Sequence, residues 1–264
     1  MAEKVEVVFN DAVAYERFMG RWSRAIGNEF LHWLEPEPGC RWLEIGCGTG
    51  VFTEVLLDAV APQSLIAVDP AVAQIDYARR RLAGRVGDVR IADAQNLPFS
   101  QGEFDFIVSA LAFNFIPERE RAACEMRRVC RPGGRVAGYV WDFAADRSSG
   151  WPLRFGFRKI GVEPPHIPGA KDTSMEALKR LFAQAGLKQM EVRSIEVTAE
   201  FANFDEYWRS QTPAFTPQGR LVSELTASQR EALIDAVRAA LPAHSDGRVF
   251  YSAHANAIKS RCPE

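Results

Sequence analysis

The amino-acid sequence predicts an α/β fold in which helices cover both faces of a mostly parallel sheet. Between Arg41 and Asp142, short apolar runs alternate with stretches of helical periodicity. This alternation indicates repeated strand–helix–strand units. The apolar runs are almost continuous, which is typical of strands that are buried on both faces. The predicted strands of this region cover 42–45, 64–69, 89–93, 104–113 and 134–141.

Helices are predicted between these strands and in the second half of the chain. Ser174 is the expected N-cap of one helix and Gly186 the residue that ends it, because serine caps helices and glycine terminates them. The segment 131–134, Arg-Pro-Gly-Gly, ends another helix and turns the chain into the fifth strand. The predicted helices cover 50–59, 71–83, 117–130, 174–187 and 226–241.

The second half of the chain adds two predicted strands, at 187–201 and 248–258, to the five before them. Residues 143–172 are rich in proline and are expected to be irregular, as is the stretch that holds Phe204, Tyr207 and Trp208. We therefore expect a single domain over residues 1–264. Its parts are a helical N-terminal extension (1–35), a cofactor-binding half (36–142) and two lid or substrate insertions (143–173 and 202–246).

The bulk composition argues against several classes of function. The formal net charge of −2 over 264 residues gives no overall attraction to nucleic acid or to a membrane surface. No segment reaches the roughly 18 consecutive apolar residues of a membrane span, and the N-terminus does not read as a secretory signal. Five cysteines without CxxC spacing, and four histidines without ligand spacing, predict no metal site. They also favour a cytoplasmic protein with reduced thiols.

A glycine-rich loop follows the first predicted strand, in the sequence Leu43-Glu44-Ile45-Gly46-Cys47-Gly48-Thr49-Gly50. Its glycines allow a tight turn and leave no Cβ in the way of a ligand. The next helix begins here, so its free N–H groups face the same crevice at the carboxyl ends of the strands. The spacing is GxGxG, whereas a dinucleotide-binding loop has GxGxxG. The ammonium and carboxylate of a sulfonium amino acid suit Glu44 and the loop amides.

Acidic residues also end the second and third predicted strands. Asp69 follows the glycine loop by roughly 20 residues, where a carboxylate can accept both hydroxyls of a ribose. Asp93, followed by Ala94, can accept the exocyclic amine of adenine. The position of Asp69 does not separate an adenosyl sulfonium from NAD, because both contain adenosine.

Together these segments resemble the successive motifs of class I S-adenosylmethionine-dependent methyltransferases. Within that class they are similar to the small-molecule branch, methyltransferase type 11, which includes ubiquinone- and menaquinone-biosynthesis-type enzymes. The resemblance covers residues 11–142 well and 174–200 weakly. It rests on the segments YERFMGRWSR, LEIGCGTG, AVDP, ADAQNLPFSQGEFDFIVS and RRVCRPGGRV.

The resemblance implies a Rossmann-like sheet of seven strands in the order 3-2-1-4-5-7-6, with strand 7 antiparallel. It also implies S-adenosylmethionine as cofactor, with S-adenosylhomocysteine as product. Glu44, Gly46 and Gly48 line the methionine moiety in this interpretation, and the remaining residues of the site bind the rest of the cofactor or close over it. The residues implied in cofactor binding are Tyr15, Arg24, Glu44, Gly46, Cys47, Gly48, Asp69, Pro70, Asp93, Ala94, Ser109 and Ala110.

Methyl transfer is an in-line displacement at a carbon that the positive sulfur already activates, so no catalytic residue is mandatory. No catalytic residue is assigned, and the candidates for a catalytic role or a contact with the acceptor are Asp142 at the end of the fifth strand, Asn114 and His166. Relatives frequently carry His at position 114, so this chain inherits no base there. Aromatic residues near the predicted crevice and in the insertions suit a partly apolar acceptor, although they can equally fill the core. These are Phe113, Phe115, Trp141, Phe143, Trp151, Phe155, Tyr207 and Trp208.

The sequence therefore predicts methyl transfer to an oxygen, nitrogen or carbon atom of a small metabolite. It predicts no nucleic-acid or membrane partner, and a monomer or homodimer. Two alternatives stay open at this point. One is an NAD(P)-dependent oxidoreductase, against which the GxGxG spacing argues. The other is a non-catalytic module that binds S-adenosylmethionine.

Overall fold

The computed structural model describes residues 19–85, 87–242 and 244–264 of the chain. Within these residues, seven strands form one sheet in the order β3-β2-β1-β4-β5-β7-β6. β7 pairs with β5 in the antiparallel sense, and the other pairings with recorded register are parallel. The predicted fold, strand order and sense of strand 7 are confirmed. The strands are β1 (Arg41–Ile45), β2 (Ser64–Asp69), β3 (Asp88–Ile91), β4 (Phe104–Ala110), β5 (Cys130–Trp141), β6 (Lys188–Phe201) and β7 (Val249–Arg261).

All five predicted helices are present in the described chain, with ends displaced by up to three residues. The cap prediction is confirmed, since the Ser174 side chain accepts a hydrogen bond from the Ala177 amide at 3.2 Å. Gly186 follows with φ 81°, a left-handed conformation that suits a helix end. The helices are α1 (Arg21–Leu34), α2 (Val51–Ala59), α3 (Val72–Arg81), α4 (Arg119–Val129), α5 (Trp151–Lys159), α6 (Met175–Gln184), α7 (Phe204–Gln211), α8 (Pro217–Glu224) and α9 (Ala227–Ala240).

The prediction of irregular backbone after Asp142 is wrong in three places, where the structure has helices α5, α7 and α8. The prediction treats the prolines as signs of irregular backbone. However, Pro152 and Pro217 lie in the first turn of a helix, where proline has no hydrogen bond to lose. The side chains of Asn203 and Thr216 cap α7 and α8. Helices of eight or nine residues are too short for a clear apolar period.

The fourth and fifth strands also differ from their predicted bounds. β4 ends at Ala110, because Leu111 has φ 55° and a short 3₁₀ helix follows at Phe113–Phe115. β5 begins at Cys130 instead of Gly134. Its register against β4 shifts between Phe104 and Phe106, which accommodates the Arg-Pro-Gly-Gly segment inside the strand.

The chain divides into two compact units, a sheet unit and a helical unit. The sheet unit comprises residues 23–147, 168–196 and 254–264. Its central strands are buried, and Trp42 of β1 stacks on Phe106 of β4 with ring centroids 4.4 Å apart. A continuous apolar core joins β1, β4 and β5 to α4 and α6. Burial of this kind supplies most of the stability of an α/β sheet.

The helical unit comprises the described residues 19–22, together with 148–167 and 197–253. It holds α5, α7, α8 and α9, the last residues of β6 and the first of β7. α5 packs closely on α9, since a Cβ at Gly156 would lie 2.6 Å from a Val237 methyl carbon. None of the described helices has the length and apolar character needed to cross a bilayer. The predicted single domain over 1–264 stays a prediction.

Candidate functional site

The candidate site lies at the carboxyl edge of the sheet unit, where the loops after β1, β2 and β4 meet. The loop after β1 is tied to β2, because the amides of Gly46 and Cys47 both donate to the Val68 carbonyl, at 2.8 and 3.0 Å. Gly46, Gly48 and Gly50 all have positive φ, at 74°, 53° and 80°. The loop is thus a fixed left-handed turn that glycine adopts without strain.

Gly46 and Gly48 face different surroundings. A Cβ at Gly46 would lie 2.3 Å from the Ala112 Cβ, so this glycine allows the loop after β4 to approach. A Cβ at Gly48 would meet no atom within 4 Å among the described residues. Gly48 therefore lines open space, as a residue beside a ligand must.

The carboxylate of Glu44 is fully buried beneath this loop. Its Oε2 accepts a hydrogen bond of 2.6 Å from the Thr53 hydroxyl in the first turn of α2. Its Oε1 has no hydrogen-bond partner in the described part of the chain. Burial raises the pKa of Glu44 to about 7, while the Thr53 hydrogen bond lowers it and Asp69 raises it further. A buried carboxylate oxygen without a partner is costly and fits a site that receives a cationic group.

Asp69, at the end of β2, is held by two backbone amides. Its Oδ2 accepts from Gly48 at 3.0 Å and its Oδ1 from Ala71 at 2.9 Å. Burial raises the pKa of Asp69, and these two hydrogen bonds counter the rise. The residue is half-buried at the end of β2.

Asp93 follows the end of β3 by two residues and is exposed. Its carboxylate accepts hydrogen bonds from the side-chain amide of Gln95 at 2.9 and 3.1 Å, and from the Gln95 backbone at 2.9 Å. Ala94 beside it is buried. Gln95 also accepts from the Glu118 amide at 2.9 Å, which links this turn to the start of α4.

The end of β4 supplies Ser109 and Ala110. Ser109 is buried, and its hydroxyl has no partner among the residues that the structure describes. Leu111 follows with φ 55°, and its amide donates to the Tyr139 carbonyl at 2.8 Å. A bulky residue in this conformation is strained, and strain of this kind is found most often at functional sites.

The other residues implied in cofactor binding occupy varied positions. Cys47 is buried, and burial raises the pKa of its thiol well above the usual range. Pro70 is exposed beside Asp69. Arg24, on α1, donates to Glu54 of α2 at 2.6 Å. Tyr15 lies outside the described residues.

Two of the three candidates for acceptor contact, Asp142 and Asn114, belong to the sheet unit. Asp142 is buried and accepts from Arg147 at 2.9 and 2.5 Å and from the Ala145 amide at 3.2 Å. Asn114 is buried, and its side-chain amide donates to the Pro168 carbonyl at 3.1 Å. His166 belongs to the helical unit and is exposed. Among the described residues, no group of three His, Cys, Asp or Glu side chains could hold a metal ion.

The predicted aromatic residues divide between the two units. Phe113, Phe115, Trp141 and Phe143 belong to the sheet unit, and Trp151, Phe155, Tyr207 and Trp208 to the helical unit. Phe113 packs on Phe182 of α6, with ring centroids 6.1 Å apart, so it is part of the core. Phe115 is half exposed.

Sequence reasoning did not identify Thr53, Thr49 or Leu111. Thr53 has a recognisable signal, because it is the polar residue on the otherwise apolar buried face of α2. Thr49 is buried in the glycine loop, and its hydroxyl has no partner within the described ranges. Leu111 carries no signal, since its conformation is set by the loop packed against it.

The strand order, the antiparallel β7 and the glycine loop at the carboxyl edge are those of the class I methyltransferase fold. Residues 43–138 match the model of a family described as a methyltransferase domain. The segment holds the whole of the glycine loop, Asp69, Asp93 and Ser109.

Two curated relatives each match somewhat more than half of the chain. A biotin biosynthesis bifunctional protein from Cellvibrio japonicus is 35% identical over 51% of this chain and 26% of its own length. A malonyl-[acyl-carrier protein] O-methyltransferase from Methylococcus capsulatus is 34% identical over 57% of this chain and 56% of its own. The chain thus spans between a quarter and somewhat over half of the length of these two relatives.

The fold is shared with a solved methyltransferase. Phosphoethanolamine N-methyltransferase 2 of Haemonchus contortus, in complex with S-adenosyl-L-methionine, superposes with a TM-score of 0.58 at 16% identity. The superposition covers 96% of this chain and 56% of that one. At this identity the comparison establishes the fold alone.

Proposed function

We propose that this protein transfers a methyl group from S-adenosylmethionine to an oxygen, nitrogen or carbon atom of a small, partly apolar metabolite. The observation that carries the proposal is the unsatisfied, buried carboxylate oxygen of Glu44 beneath a GxGxG loop, within a segment that matches the methyltransferase domain family. The same spacing argues against the oxidoreductase alternative, because a pyrophosphate needs the GxGxxG loop.

The residues at the carboxyl edge fit this cofactor. The free oxygen of Glu44 suits its ammonium group, and the open space at Gly48 suits the backbone of its methionine part. Asp69 would accept the ribose hydroxyls, and Asp93 the exocyclic amine of adenine beside Ala94 and Pro70. Ser109, Ala110 and Cys47 would line the sulfonium end, and Tyr15 and Arg24 would close over it. When bound, S-adenosylmethionine supplies a methyl carbon activated by the positive sulfur.

The protein's own contribution is to hold the reacting atoms in line and to exclude water. The fixed left-handed loop and the strained turn at Leu111 keep the carboxyl edge rigid, so little reorganisation is needed. Asp142 and Asn114 are already hydrogen-bonded, and the proposal assigns neither of them, nor His166, the role of a required base.

The name of one similar protein, a malonyl-[acyl-carrier protein] O-methyltransferase, supports a small acceptor group, since malonyl is a small acyl group. We keep the proposal at the level of a small-molecule acceptor, with a monomeric or homodimeric protein in the cytoplasm. Free thiols at all five cysteines in the described chain support that location.

Titration calorimetry with S-adenosylhomocysteine tests the cofactor. We expect the intact protein to bind it, and Asp69→Ala to weaken binding by about 1–3 kcal/mol. Gly48→Ala would fill the open space and weaken binding further. Gly39→Ala is the matched control, because Gly39 also has positive φ and open surroundings but lies outside the loop. Absence of binding to the wild-type protein would overturn the proposal.

A second measurement separates an enzyme from a non-catalytic binding module. The protein is incubated with S-adenosylmethionine and a pool of small metabolites, and S-adenosylhomocysteine is quantified over time. We expect turnover that depends on the pool and is lost in Gly48→Ala. Tight cofactor binding without any product across chemically diverse pools would favour the binding module.

A further inference from the structure

Two buried thiols lie together at the amino edge of the sheet unit, opposite the candidate site. Cys130 begins β5 and Cys262 directly follows β7, and they are 4% and 5% exposed. Both belong to the same buried core, where the Cys130 thiol donates to the Arg135 carbonyl at 3.7 Å and the Cys262 thiol to the Arg127 carbonyl at 3.5 Å. Because the two residues are far apart in the sequence, the tertiary fold alone brings them together.

The local backbone explains how the pair forms. The Gly133 amide donates to the Cys262 carbonyl at 3.3 Å, and the Cys262 amide donates to the Gly134 carbonyl at 2.9 Å. Gly133 has φ 68°. This hydrogen-bond pattern, with a left-handed glycine in its first position, is a G1 β-bulge in which Cys262 faces both glycines.

Gly134 then provides the room for the second thiol. A Cβ at Gly134 would lie 2.7 Å from the Cys130 sulfur. The Cys130 thiol therefore occupies the space that a side chain at 134 would fill. Since facing residues of an antiparallel pair project to the same side of the sheet, this is the side to which Cys262 points.

The two thiols are chemically unequal. The hydrogen bond from Cys130 lowers the pKa of the Cys262 thiol, burial opposes this, and Arg127 lowers it further. The same hydrogen bond, together with burial, raises the pKa of Cys130. These directions favour Cys262 as the attacking thiol and Cys130 as the resolving thiol beside it.

We propose that Cys130 and Cys262 form a reversible disulfide by exchange with a low-molecular-weight disulfide such as oxidised glutathione. The Cys262 thiolate attacks one sulfur of the small disulfide, breaks its S–S bond and releases one thiolate. The Cys130 sulfur, on losing its proton, attacks the Cys262 sulfur of the mixed disulfide and releases the second. The two cysteine protons pass to the two released thiolates, and the small disulfide gains the two electrons that the protein loses.

The disulfide would join the start of β5 to the end of β7 and close a long loop. A crosslink of this kind stabilises a protein mainly by restricting its unfolded chain. It lies at the edge of the sheet away from Glu44 and the glycine loop. The pair therefore responds to the thiol–disulfide balance through stability, and it is independent of the proposed methyl transfer.

The test uses the full chain, incubated with oxidised glutathione and then mapped as peptides under non-reducing conditions. We expect one crosslinked species that joins the peptides of Cys130 and Cys262. We also expect the thermal midpoint to rise by roughly 10 °C and to return with dithiothreitol. The double variant Cys40→Ala/Cys124→Ala removes the more accessible thiols and is expected to respond in full.

Cys262→Ala and Cys130→Ala are each expected to lose both the crosslink and the shift, and either variant suffices if the other fails to fold. Two results overturn the proposal. One is glutathione attached to Cys40 or Cys124 while Cys130 and Cys262 stay reduced. The other is the complete absence of a crosslink between Cys130 and Cys262 in the wild-type chain after incubation with oxidised glutathione.

Discussion

The two edges of the sheet unit use similar polar residues in opposite ways. At the carboxyl edge, Glu44 Oε1, Thr49 Oγ1 and Ser109 Oγ are buried without a partner in the described ranges. At the amino edge, both carboxylate oxygens of Asp105 are engaged by Arg41 and Arg131, at distances between 2.6 and 3.2 Å.

This difference separates a functional edge from a structural one. Each buried polar atom without a partner costs about 1–3 kcal/mol, so a cluster of them is retained where a ligand can satisfy it. The paired edge instead contributes directly to stability. Changes at the carboxyl edge should therefore affect binding, and changes at the amino edge should affect stability alone.

The largest effect is expected from Gly46→Ala, which would distort the glycine loop at the carboxyl edge. The added methyl group would overlap Ala112, at 2.3 Å, on a backbone with φ 74°. We expect a loss of about 4 kcal/mol in unfolding free energy together with loss of cofactor binding. Urea unfolding and calorimetry measure the two effects, and an unchanged midpoint would show that the loop is not constrained as described.

A pH series with Glu44→Gln sharpens the comparison. Burial raises the pKa of Glu44 from 4.5 to about 7, so the folded state holds more protons than the unfolded state between these values. Stability should fall as pH rises through this window, by about 3 kcal/mol from this residue alone. The variant should lack this fall.

Cofactor binding should have the opposite dependence on pH. An ammonium group is bound by ionised Glu44, so affinity should rise as pH increases through about 7. In Glu44→Gln the affinity should be lower and independent of this ionisation. Equal pH profiles in wild type and variant would show that Glu44 does not bind the ammonium group of the cofactor.

Asp105→Ala tests the paired edge. Hydrogen bonds from Arg41 and Arg131 hold the pKa of Asp105 at about 2, below its usual 3.8, although partial burial opposes this. The stability it contributes is present above about pH 4 and is lost as pH falls through about 2. We expect the variant to lose about 2 kcal/mol at neutral pH while it binds the cofactor normally. Weakened binding with unchanged stability would invert the comparison.

The smallest effect is expected from Thr53→Val, which removes the one hydrogen bond that the Glu44 side chain has in the described chain. We expect binding to weaken by about 1 kcal/mol, and the pKa of Glu44 to rise further because the Thr53 hydrogen bond lowers it. Thr53→Ser keeps the hydroxyl, so the binding affinity and the pKa of Glu44 should stay close to those of the wild type. If Val and Ser behave alike, packing and not the hydrogen bond is the function of Thr53.

The sequence by itself determined the succession of the strands, that of the helices other than α5, α7 and α8, the glycine loop and the Ser174 cap. Each depends on residues a few positions apart: apolar runs for β1 to β5, glycines at 46, 48 and 50, and the Ser174 cap. These patterns act locally, so they can be read along the chain. Short helices such as Trp151–Lys159 escaped because a proline in the first turn resembles a loop.

The tertiary structure alone decided which polar groups are paired. Glu44 and Asp105 are both acidic residues in or at the start of a strand, yet one is left with a free oxygen and the other is bound by two arginines. The contact between Cys130 and Cys262 depends on a bulge and on the register of β5 against β7. Register is set when distant strands pack together, and no local pattern specifies it.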